Sequence, residues 1–373
     1  MKQRGQTLAG AGLLLAFAAL LFSFPSQSAD AARKGVSLCL DLIIPSLFPF
    51  FVLSSLVIST GLAGLLARPL RRPMEGLFGV GGAGASLLVL GAVGGYPVGA
   101  RTLAQMTARG DCSPLEARRL YLFSNNCGPA FFVGVVGAEL FGSKEVGFLL
   151  WGTHLLAAFL IGLFKPASRP LPPTSSRTQS TLSPLSSQLP DAVGGAFTST
   201  LNVCAYVVLF SVLTELLTCS NLLPALTETL SVLFSGSQGT VLCRSLCMGL
   251  LEISTGIAAL GEAVSSPVAL PLAAFLLGWG GFSVHCQTLP FWRELGLPIA
   301  PYLLAKLCQG LLAALLTFAL CRLFPLTLPV MAPVEAITPI SLFGQEMTAL
   351  WALAGCYTLL TRKRGRKESK KPV

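Results

Sequence analysis

The chain has 373 residues, of which 53% are hydrophobic and only 11% are charged, and its formal net charge is +10. Soluble domains carry about 25% charged residues, so this composition excludes an ordinary soluble enzyme or binding domain. The basic residues cluster beside apolar runs and in the tail 362–371. That distribution is typical of topology determinants in a membrane protein and argues against nucleic acid as a partner.

Several long stretches contain no Asp, Glu, Lys or Arg, and each is about as long as the ~20 residues that a bilayer helix needs. They are 5–29, 42–67, 76–100, 120–138, 146–164, 192–214 and 263–292, with shorter apolar runs at 299–321 and 347–361. The sequence therefore predicts an all-α polytopic membrane protein with about 8–10 membrane segments, embedded in a lipid bilayer.

The predicted organisation follows these runs in chain order. It comprises 1–35 (a transmembrane helix and loop), 36–164 (a first repeat and a following helix), 165–191 (a linker), 192–297 (a second repeat), 298–361 (C-terminal helices) and 362–373 (a basic cytoplasmic tail). The linker is rich in Ser, Thr and Pro without an apolar period, so we expect it to be extended. A cleaved signal peptide is the alternative to an uncleaved first helix.

Two sets of three elements recur in the same order on either side of the linker. Elements A, B and C are 45–57, 94–104 and 123–132, and elements A′, B′ and C′ are 201–213, 251–261 and 279–288. The offset is 156 for A, 157 for B and close to 159 for C, where "FSNNC" (123–127) aligns with "FSVHC" (282–286). Identities are few, but the repeated order at a nearly constant offset favours two related halves.

The basic residues also predict how these elements cross the membrane. If every element spans simply, the basic loop 101–119 falls outside, against the positive-inside tendency. If B and B′ are re-entrant or broken hairpins, most Lys and Arg residues and both termini are cytoplasmic. The halves then become inverted repeats with broken helices at the midplane, a design of secondary transporters. Pro45 and Pro49 also interrupt A, so whether A or B carries the turn is left open.

Candidate binding residues of the first half lie at the breaks in A and B. In A, Ser46 lies between two prolines, where freed backbone groups could face a substrate; a plain helix start is the alternative. In B, Gly95 allows close backbone approach, Tyr96 could stack on an aromatic ligand and Pro97 interrupts the hydrogen-bond ladder. Tight helix packing through small residues is the alternative for B.

Element C places two amides inside an apolar run. Asn125 and Asn126 are followed by Gly128 and Pro129, and unpaired amides in hydrocarbon are costly. Pro129 lacks the N–H that would bond the Asn125 carbonyl, so the sequence predicts that this carbonyl and both amide side chains are free for a ligand or ion. Hydrogen bonding between helices is the alternative.

Element B′ contains Glu252 in an apolar region, with Ser254 and Thr255 beside it. A carboxylate embedded in a membrane is a functional hypothesis by default. It could bind H⁺ or Na⁺, or pair with Arg244 in the preceding turns.

Element C′ places Ser283, His285 and Gln287 in alternation with apolar residues, after Gly280 and Gly281, which suggest an unwound stretch. His285 could contact an anion or relay protons; a structural histidine is the alternative. Nowhere does the sequence contain a nucleotide-hydrolysis, metalloprotease or nucleophile-elbow motif, so it predicts neither an enzyme nor a resident metal or cofactor.

Five segments in combination resemble the YlbJ-type sporulation integral membrane proteins of endospore-forming Firmicutes. They are "IPSLFPFFVLSSL", "GGYPVGAR", "FSNNCGPAFFVG", "LEISTG" and "GGFSVHCQ", within residues 36–300. The resemblance implies two nucleoside-recognition (Gate) domains, related to the concentrative nucleoside transporters, whose fold is an inverted repeat with re-entrant hairpins. It also implies that Asn125, Asn126, Glu252, Ser283 and His285 lie around the substrate site.

The same resemblance implies export of dipicolinic acid from the mother cell across the outer forespore membrane. Dipicolinate is a flat aromatic dianion, and half-helix N-termini present N–H groups to carboxylates. Arg244, His285 or Lys306 could add positive charge. The alternatives are a nucleoside-like solute carrier and a non-transporting scaffold for the spore envelope. Coupling to H⁺ or Na⁺ and association into a homo-oligomer stay open.

Overall fold

The computed structural model describes residues 2–62, 69, 72–164, 184–233 and 238–323. Every regular element among these residues is helical, which confirms the all-α fold. Before the linker lie α1 Lys2–Ser23, α2 Pro25–Leu38, α3 Ile44–Ser59, α4 Gly82–Gly94, α5 Val98–Ala108, α6 Pro114–Leu120 and α7 Lys144–Leu163, with π-helical segments Cys39–Ile43, Met74–Phe78 and Ala130–Leu140. After it lie α8 Leu185–Cys219, α9 Leu222–Leu230, α10 Gly239–Leu251, α11 Ile253–Leu260, α12 Ala269–Trp279, α13 Gly281–Glu294 and α14 Ile299–Leu323.

Four of the described segments are long and apolar enough to cross a membrane: Lys144–Leu163, Leu185–Cys219, Ala269–Glu294 and Ile299–Leu323. The pair Gly10–Ser23 and Pro25–Asp41, bent by 99°, would be a fifth. Shorter apolar helices are Leu47–Val57, Gly84–Gly94, Ala130–Leu140 and Gly239–Leu251. These have the length of half spans, as the predicted broken helices require. The total of 8–10 segments stays a prediction.

Two predicted boundaries differ from the structure. The predicted transmembrane helix and loop 1–35 is two helices, because Pro25 at the first helical position starts α2, which runs to Leu38, without losing a hydrogen bond. The predicted linker 165–191 ends early, since α8 begins at Leu185 and tolerates Pro190 near its start. The residues 165–183 and 324–373, with the rest of the predicted C-terminal helices and the tail, lie outside the described residues.

Element B is a helical hairpin. α4 and α5 fold back on each other at 95–97, so that a Cβ built on Gly91 would lie 3.3 Å from the Gly99 Cα. Gly95 has a φ of 77°, which glycine adopts without strain, and the Tyr96–Pro97 peptide bond is cis. α3 runs on through Pro49, so the turn that the sequence left open between A and B lies in B.

Element B′ is a second hairpin. α10 and α11 are separated by Glu252 alone, whose backbone is extended (φ −143°, ψ 122°). The helices then pack closely: the Ser245 hydroxyl donates to the Gly256 carbonyl at 2.8 Å, and a Cβ on Gly256 would lie 2.5 Å from the Gly249 nitrogen. Both B elements therefore turn back, as the charge argument predicts, while the inverted orientation of the halves stays a prediction.

Elements C and C′ are broken helices. Residues 125–128 have no regular structure, and the break packs against the first hairpin, where Gly91 and Gly99 leave room for the Ser124 carbonyl. In C′, Gly280 and Gly281 have φ values of 87° and 79° and separate α12 from α13. The glycine and proline signals in the sequence thus correspond to real interruptions.

The last described helix, α14, packs along α12 and α7. A Cβ on Gly278 of α12 would lie 2.6 Å from the Gly310 Cα, so the two backbones cross through small residues. Against α7, the hydroxyls of Thr153 and Thr317 are 3.0 Å apart. This packing brings the polar face of α14 against the break in C.

Candidate functional site

A cavity of about 80 Å³ lies where the two halves meet, and all six repeated elements line it. Element A contributes Leu47 and Phe50, and element A′ contributes Val203 and Val207. B and B′ contribute Gly94, Gly95 and Tyr96, and Glu252, Ile253 and Ser254. C and C′ contribute Cys127, Gly128, Ala130 and Phe131, and Ser283, Val284 and Gln287. A single water needs about 10–15 Å³ on this kind of measure, so the cavity has room for several waters or a small solute.

The cavity brings together half of the residues that the sequence singled out. These are Gly95, Tyr96, Gly128, Glu252, Ser254, Ser283 and Gln287. They come from both hairpin tips and both broken helices. The cavity therefore lies where hairpin tips and broken helices meet. Its polarity depends on the few polar side chains among these residues.

Glu252 is the carboxylate of the cavity and is 1% exposed. It is the N-cap of α11: its Oε2 accepts a hydrogen bond from the Thr255 N–H at 2.8 Å, and the Thr255 hydroxyl donates to the Glu252 carbonyl at 3.0 Å. Thr255 thus holds the tip in shape and does not line the cavity. The cap also fixes the carboxylate at the point where the hairpin turns.

Arg244 is not the partner of Glu252. Its guanidinium pairs with Glu262 at 2.5 Å, and both side chains are substantially exposed (42% and 63%). Arg244 lies eight residues before the hairpin tip and is not among the residues that line the cavity. The suggested Arg244–Glu252 pair is therefore wrong, and Arg244 adds no charge to the cavity.

Ser283 and Gln287 form the polar part of the C′ wall. They lie one turn apart on α13, and the Gln287 amide donates to the Ser283 hydroxyl at 3.2 Å. Both are buried. A hydroxyl and an amide in this position offer a donor and an acceptor to a solute.

Tyr96 lines the cavity with its ring and is anchored at its hydroxyl. The hydroxyl donates to the Leu277 carbonyl at 3.2 Å, across to α12. The ammonium of Lys306 lies 5.2 Å from the ring centroid. Pro97 is the N-cap of α5 and does not line the cavity.

Asn125 and Asn126 are fully buried behind the cavity wall rather than in it. Asn125 donates from Nδ2 to the Tyr302 hydroxyl at 2.9 Å and accepts from the Ala100 N–H at 3.3 Å. Asn126 donates to the Phe123 carbonyl at 2.9 Å and accepts from Gln309 at 2.9 Å. The two amides therefore hold segments of the protein together by hydrogen bonds, which is the alternative to ligand binding.

The Asn125 carbonyl is not free either. It accepts a hydrogen bond from the ammonium of Lys306, which also donates to the Gln309 Oε1 at 2.7 Å. The prediction of an open carbonyl is wrong because a buried carbonyl without a helical partner must find another donor, and α14 supplies one.

The polar face of α14 contains functional candidates that the sequence analysis did not identify as a group. Tyr302, Lys306, Gln309 and Thr317 are fully buried and recur at helical spacing within an apolar run. That periodicity was the available signal, since polar residues three and four apart share one helix face. Lys306 alone was noted, as one of three sources of positive charge.

His285 lies in an aromatic cluster outside the cavity lining. Its ring centroid is 4.3 Å from that of Trp279 and 5.6 Å from that of Tyr302, and neither ring nitrogen has a hydrogen-bond partner among the described residues. The side chain of Ser46 is not among those that the structure describes. Among the described residues no group of three His, Cys, Asp or Glu side chains is placed to hold a metal ion.

Comparison with known proteins gives one informative relative. No protein-family model matches the chain, and no solved structure matches it. The sporulation integral membrane protein YlbJ of Bacillus subtilis (strain 168) is 31% identical over 345 residues, which cover 85% of this chain and 83% of that protein. The similarity therefore extends over nearly the whole length of both chains.

Proposed function

Since the chain belongs to the family of YlbJ-type sporulation integral membrane proteins, we propose that it moves a small organic solute, dipicolinate, across a membrane of the sporulating cell. The process is secondary transport without a chemical step on the solute. The membrane is the outer forespore membrane, with both termini in the mother-cell cytoplasm. The wider kinship to nucleoside-recognition domains and concentrative nucleoside transporters is part of the same proposal.

The observation that carries the proposal is the cavity lined by all six repeated elements. Two hairpin tips and two broken helices meet there, and irregular backbone at membrane depth is tolerated only where protein or a water-filled cavity shields it. A non-transporting scaffold does not need such breaks. A site between two related halves suits a carrier, because rocking one half against the other opens it to alternate sides.

The ends of three helices support an anionic substrate. α5, α11 and α13 each begin beside cavity-lining residues, so the positive ends of their helix dipoles lie near the solute. The Ala100 N–H of α5 and the Thr255 N–H of α11 already donate within the protein, so it is the dipoles that favour carboxylates here. Tyr96 adds a ring face for a flat aromatic solute.

The charge of the cavity favours a second candidate, a neutral nucleoside-like solute. Glu252 lines the cavity, and within the described residues no Lys, Arg or His side chain does. A dianion beside a carboxylate requires a proton or a cation bound with it. A neutral solute does not, and it would use Ser283, Gln287 and Glu252 as hydrogen-bond partners.

Uptake into proteoliposomes tests the two candidates directly. Proteoliposomes that contain the full chain are given labelled dipicolinate or labelled uridine on the outside. The initial rate of uptake is measured as a function of solute concentration. Saturable dipicolinate uptake is expected; saturable uptake of uridine alone would select the second candidate. Absence of saturable flux for both would reject transport of these solutes and favour the scaffold.

Ser283→Ala provides the matched site variant, with Ser186→Ala as its control. Ser283 lines the cavity, whereas Ser186 is exposed in the first turn of α8. Removing one hydroxyl that binds solute is expected to raise the half-saturation concentration by about tenfold, the equivalent of one hydrogen bond. Equal kinetics for the two variants would contradict the cavity as the binding site.

A further inference from the structure

The ammonium of Lys306 is buried in the interior of the part of the protein that the structure describes. Its side chain has 0% exposure, and no carboxylate among the described residues forms an ion pair with it. Burying an unpaired charge is costly, and a lysine in such a place can shed that cost by releasing its proton. An ionisable residue within a membrane span is therefore a candidate for function.

The groups around the ammonium are all neutral oxygens and one aromatic face. They are the Asn125 carbonyl, the Gln309 Oε1 and the ring of Tyr96. Hydrogen bonds from a charged donor are about twice as strong as neutral ones, and the cation also attracts the ring face. Loss of the proton weakens all three contacts together, because the neutral amine retains N–H donors but not the charge.

These three contacts join the parts of the protein that surround the cavity. Asn125 belongs to the break in C, whose next residues Cys127 and Gly128 line the cavity. Tyr96 is the tip of the first hairpin, and Gln309 belongs to α14. The proton on Lys306 therefore fastens the break and the hairpin tip to α14, at the wall of the solute site.

Other titratable groups of the described residues face this position, and none of these is a carboxylate. They are Tyr96 on the hairpin tip, Cys127 in the break, His154 on α7, His285 on α13 and Tyr302 on α14 itself; α12 contributes none. The His154 Nε2 accepts a hydrogen bond from the Cys127 N–H at 3.3 Å, which requires that nitrogen to be unprotonated. His154 also links the break to α14, since its Nε2 lies 3.3 Å from both the Cys127 nitrogen and the Gln309 Nε2, but through an uncharged ring. His285 forms no hydrogen bond through its ring within the described residues.

We propose that Lys306 is the proton-binding site through which solute movement is coupled to H⁺. This inference rests on the proposed function. It assigns proton coupling to Lys306, whereas the sequence suggested Glu252 as the site that binds H⁺ or Na⁺.

With its proton, Lys306 clamps the break in C by reinforcing the neutral Asn125–Tyr302 and Asn126–Gln309 hydrogen bonds that also join the break to α14. When the proton passes to water that enters from the cavity beside Cys127 and Gly128, the amine is neutral and those bonds alone hold the break. This loosening opens the cavity wall, and rebinding of a proton closes it.

Amide hydrogen exchange of the peptide 121–132 tests the clamp independently of transport. The full chain in nanodiscs is compared with Lys306→Met and Lys306→Arg from about pH 5.5 to about pH 9.5, a range over which buried lysines titrate. Rates are taken as ratios at the same pH, which removes the intrinsic pH dependence of exchange.

Three outcomes are expected. At low pH the Met variant exchanges at least about a hundredfold faster than the parent chain, because two charge-assisted hydrogen bonds are lost. At high pH this ratio falls towards one, because the parent has lost its charge. The Arg variant, which keeps its charge, stays protected throughout. A Met-to-parent ratio that does not change with pH overturns the proposal.

Two further variants guard against misfolding and against a histidine as the switch. Gln309→Glu conserves size and gives the ammonium a carboxylate partner, although it loses the hydrogen bond to Asn126. Protection is therefore expected to be lower at every pH but to persist to higher pH. His285→Phe removes the unpartnered histidine and is expected to leave the pH dependence in place. Loss of the pH dependence in His285→Phe, or no upward shift in Gln309→Glu, contradicts Lys306 as the site.

Proteoliposomes with a pH-sensitive dye inside separate this inference from the proposed function. The parent chain is expected to move protons together with solute. Lys306→Met is expected to exchange solute across the membrane, but a pH gradient is not expected to drive accumulation of solute by this variant. Proton-coupled accumulation by Lys306→Met overturns the coupling role. If the parent moves no solute, the proposed function fails, and the exchange experiment still decides whether Lys306 is a proton-controlled clamp.

Discussion

The ammonium of Lys306 donates a hydrogen bond to the backbone carbonyl of Asn125, two residues that are 181 positions apart. That carbonyl lacks its helical partner because the fourth residue after it, Pro129, has no N–H. A proline in one half of the chain thus creates the acceptor that a lysine after the second half uses. The contact ties the broken helix of element C to α14 beside the cavity.

Asn126→Ala is expected to destabilise the protein. Asn126 is 2% exposed, and its removal takes the donor from the Phe123 carbonyl, at about 1–3 kcal/mol for an unsatisfied buried group. It also takes the 2.9 Å acceptor from the Gln309 amide, which keeps only longer contacts to His154. Thermal unfolding of the detergent-solubilised chain measures the loss. Asn202→Ala, on an exposed part of α8, is the control and is expected to leave Tm within error. Equal shifts in both variants would argue against the network.

Gly99→Ala is expected to disrupt the contact between the first hairpin and the break in C. A Cβ at Gly99 would lie 2.7 Å from the Asn125 Cα, and backbone cannot yield as a side chain does. Overpacking of this kind costs about 1–3 kcal/mol. Gly152→Ala in α7, where a Cβ meets nothing within 4 Å, is expected to be neutral or stabilising. A lower Tm for Gly152→Ala than for Gly99→Ala would refute the close approach.

Replacing Glu252 by Gln or Ala separates its capping role from its charge. Gln keeps an oxygen that accepts the Thr255 N–H, whereas Ala loses the cap, which is worth about 1 kcal/mol. Glu252→Ala is therefore expected to have a lower Tm than Glu252→Gln. If the two variants unfold at the same temperature, the carboxylate does not act as a cap.

Cysteine labelling in intact cells tests the predicted topology. An impermeant maleimide is expected to miss Ala108→Cys, in the predicted cytoplasmic loop, and to label Glu145→Cys, on the predicted outer side; both positions are exposed. The native Cys112 is unsuitable as a probe, because it is 2% exposed and burial raises the pKa of its thiol to about 12. The reverse labelling pattern would favour simple spans in place of hairpins.

The sequence predicted the interruptions well because their causes are local. Gly95 and Pro97 mark the first hairpin tip, and Gly280 and Gly281 mark the break in C′, each through the conformations that these residues allow or forbid. It failed for Arg244, whose partner is Glu262 and not Glu252. Glu252 and Glu262 both follow Arg244 in the sequence, so sequence position does not decide between them. Only the fold of the second hairpin decides which carboxylate the Arg244 guanidinium contacts.

The sequence by itself determined that this is an all-α membrane protein with paired, interrupted segments, since apolar length, glycine and proline act within a few residues of themselves. Only the tertiary structure decided what the interruptions are for. A proline frees a carbonyl wherever it stands, but whether a solute, an ion or a lysine takes that carbonyl depends on the donor that packing brings to it. In this protein packing brings Lys306 to Asn125, and the cavity opens beside it.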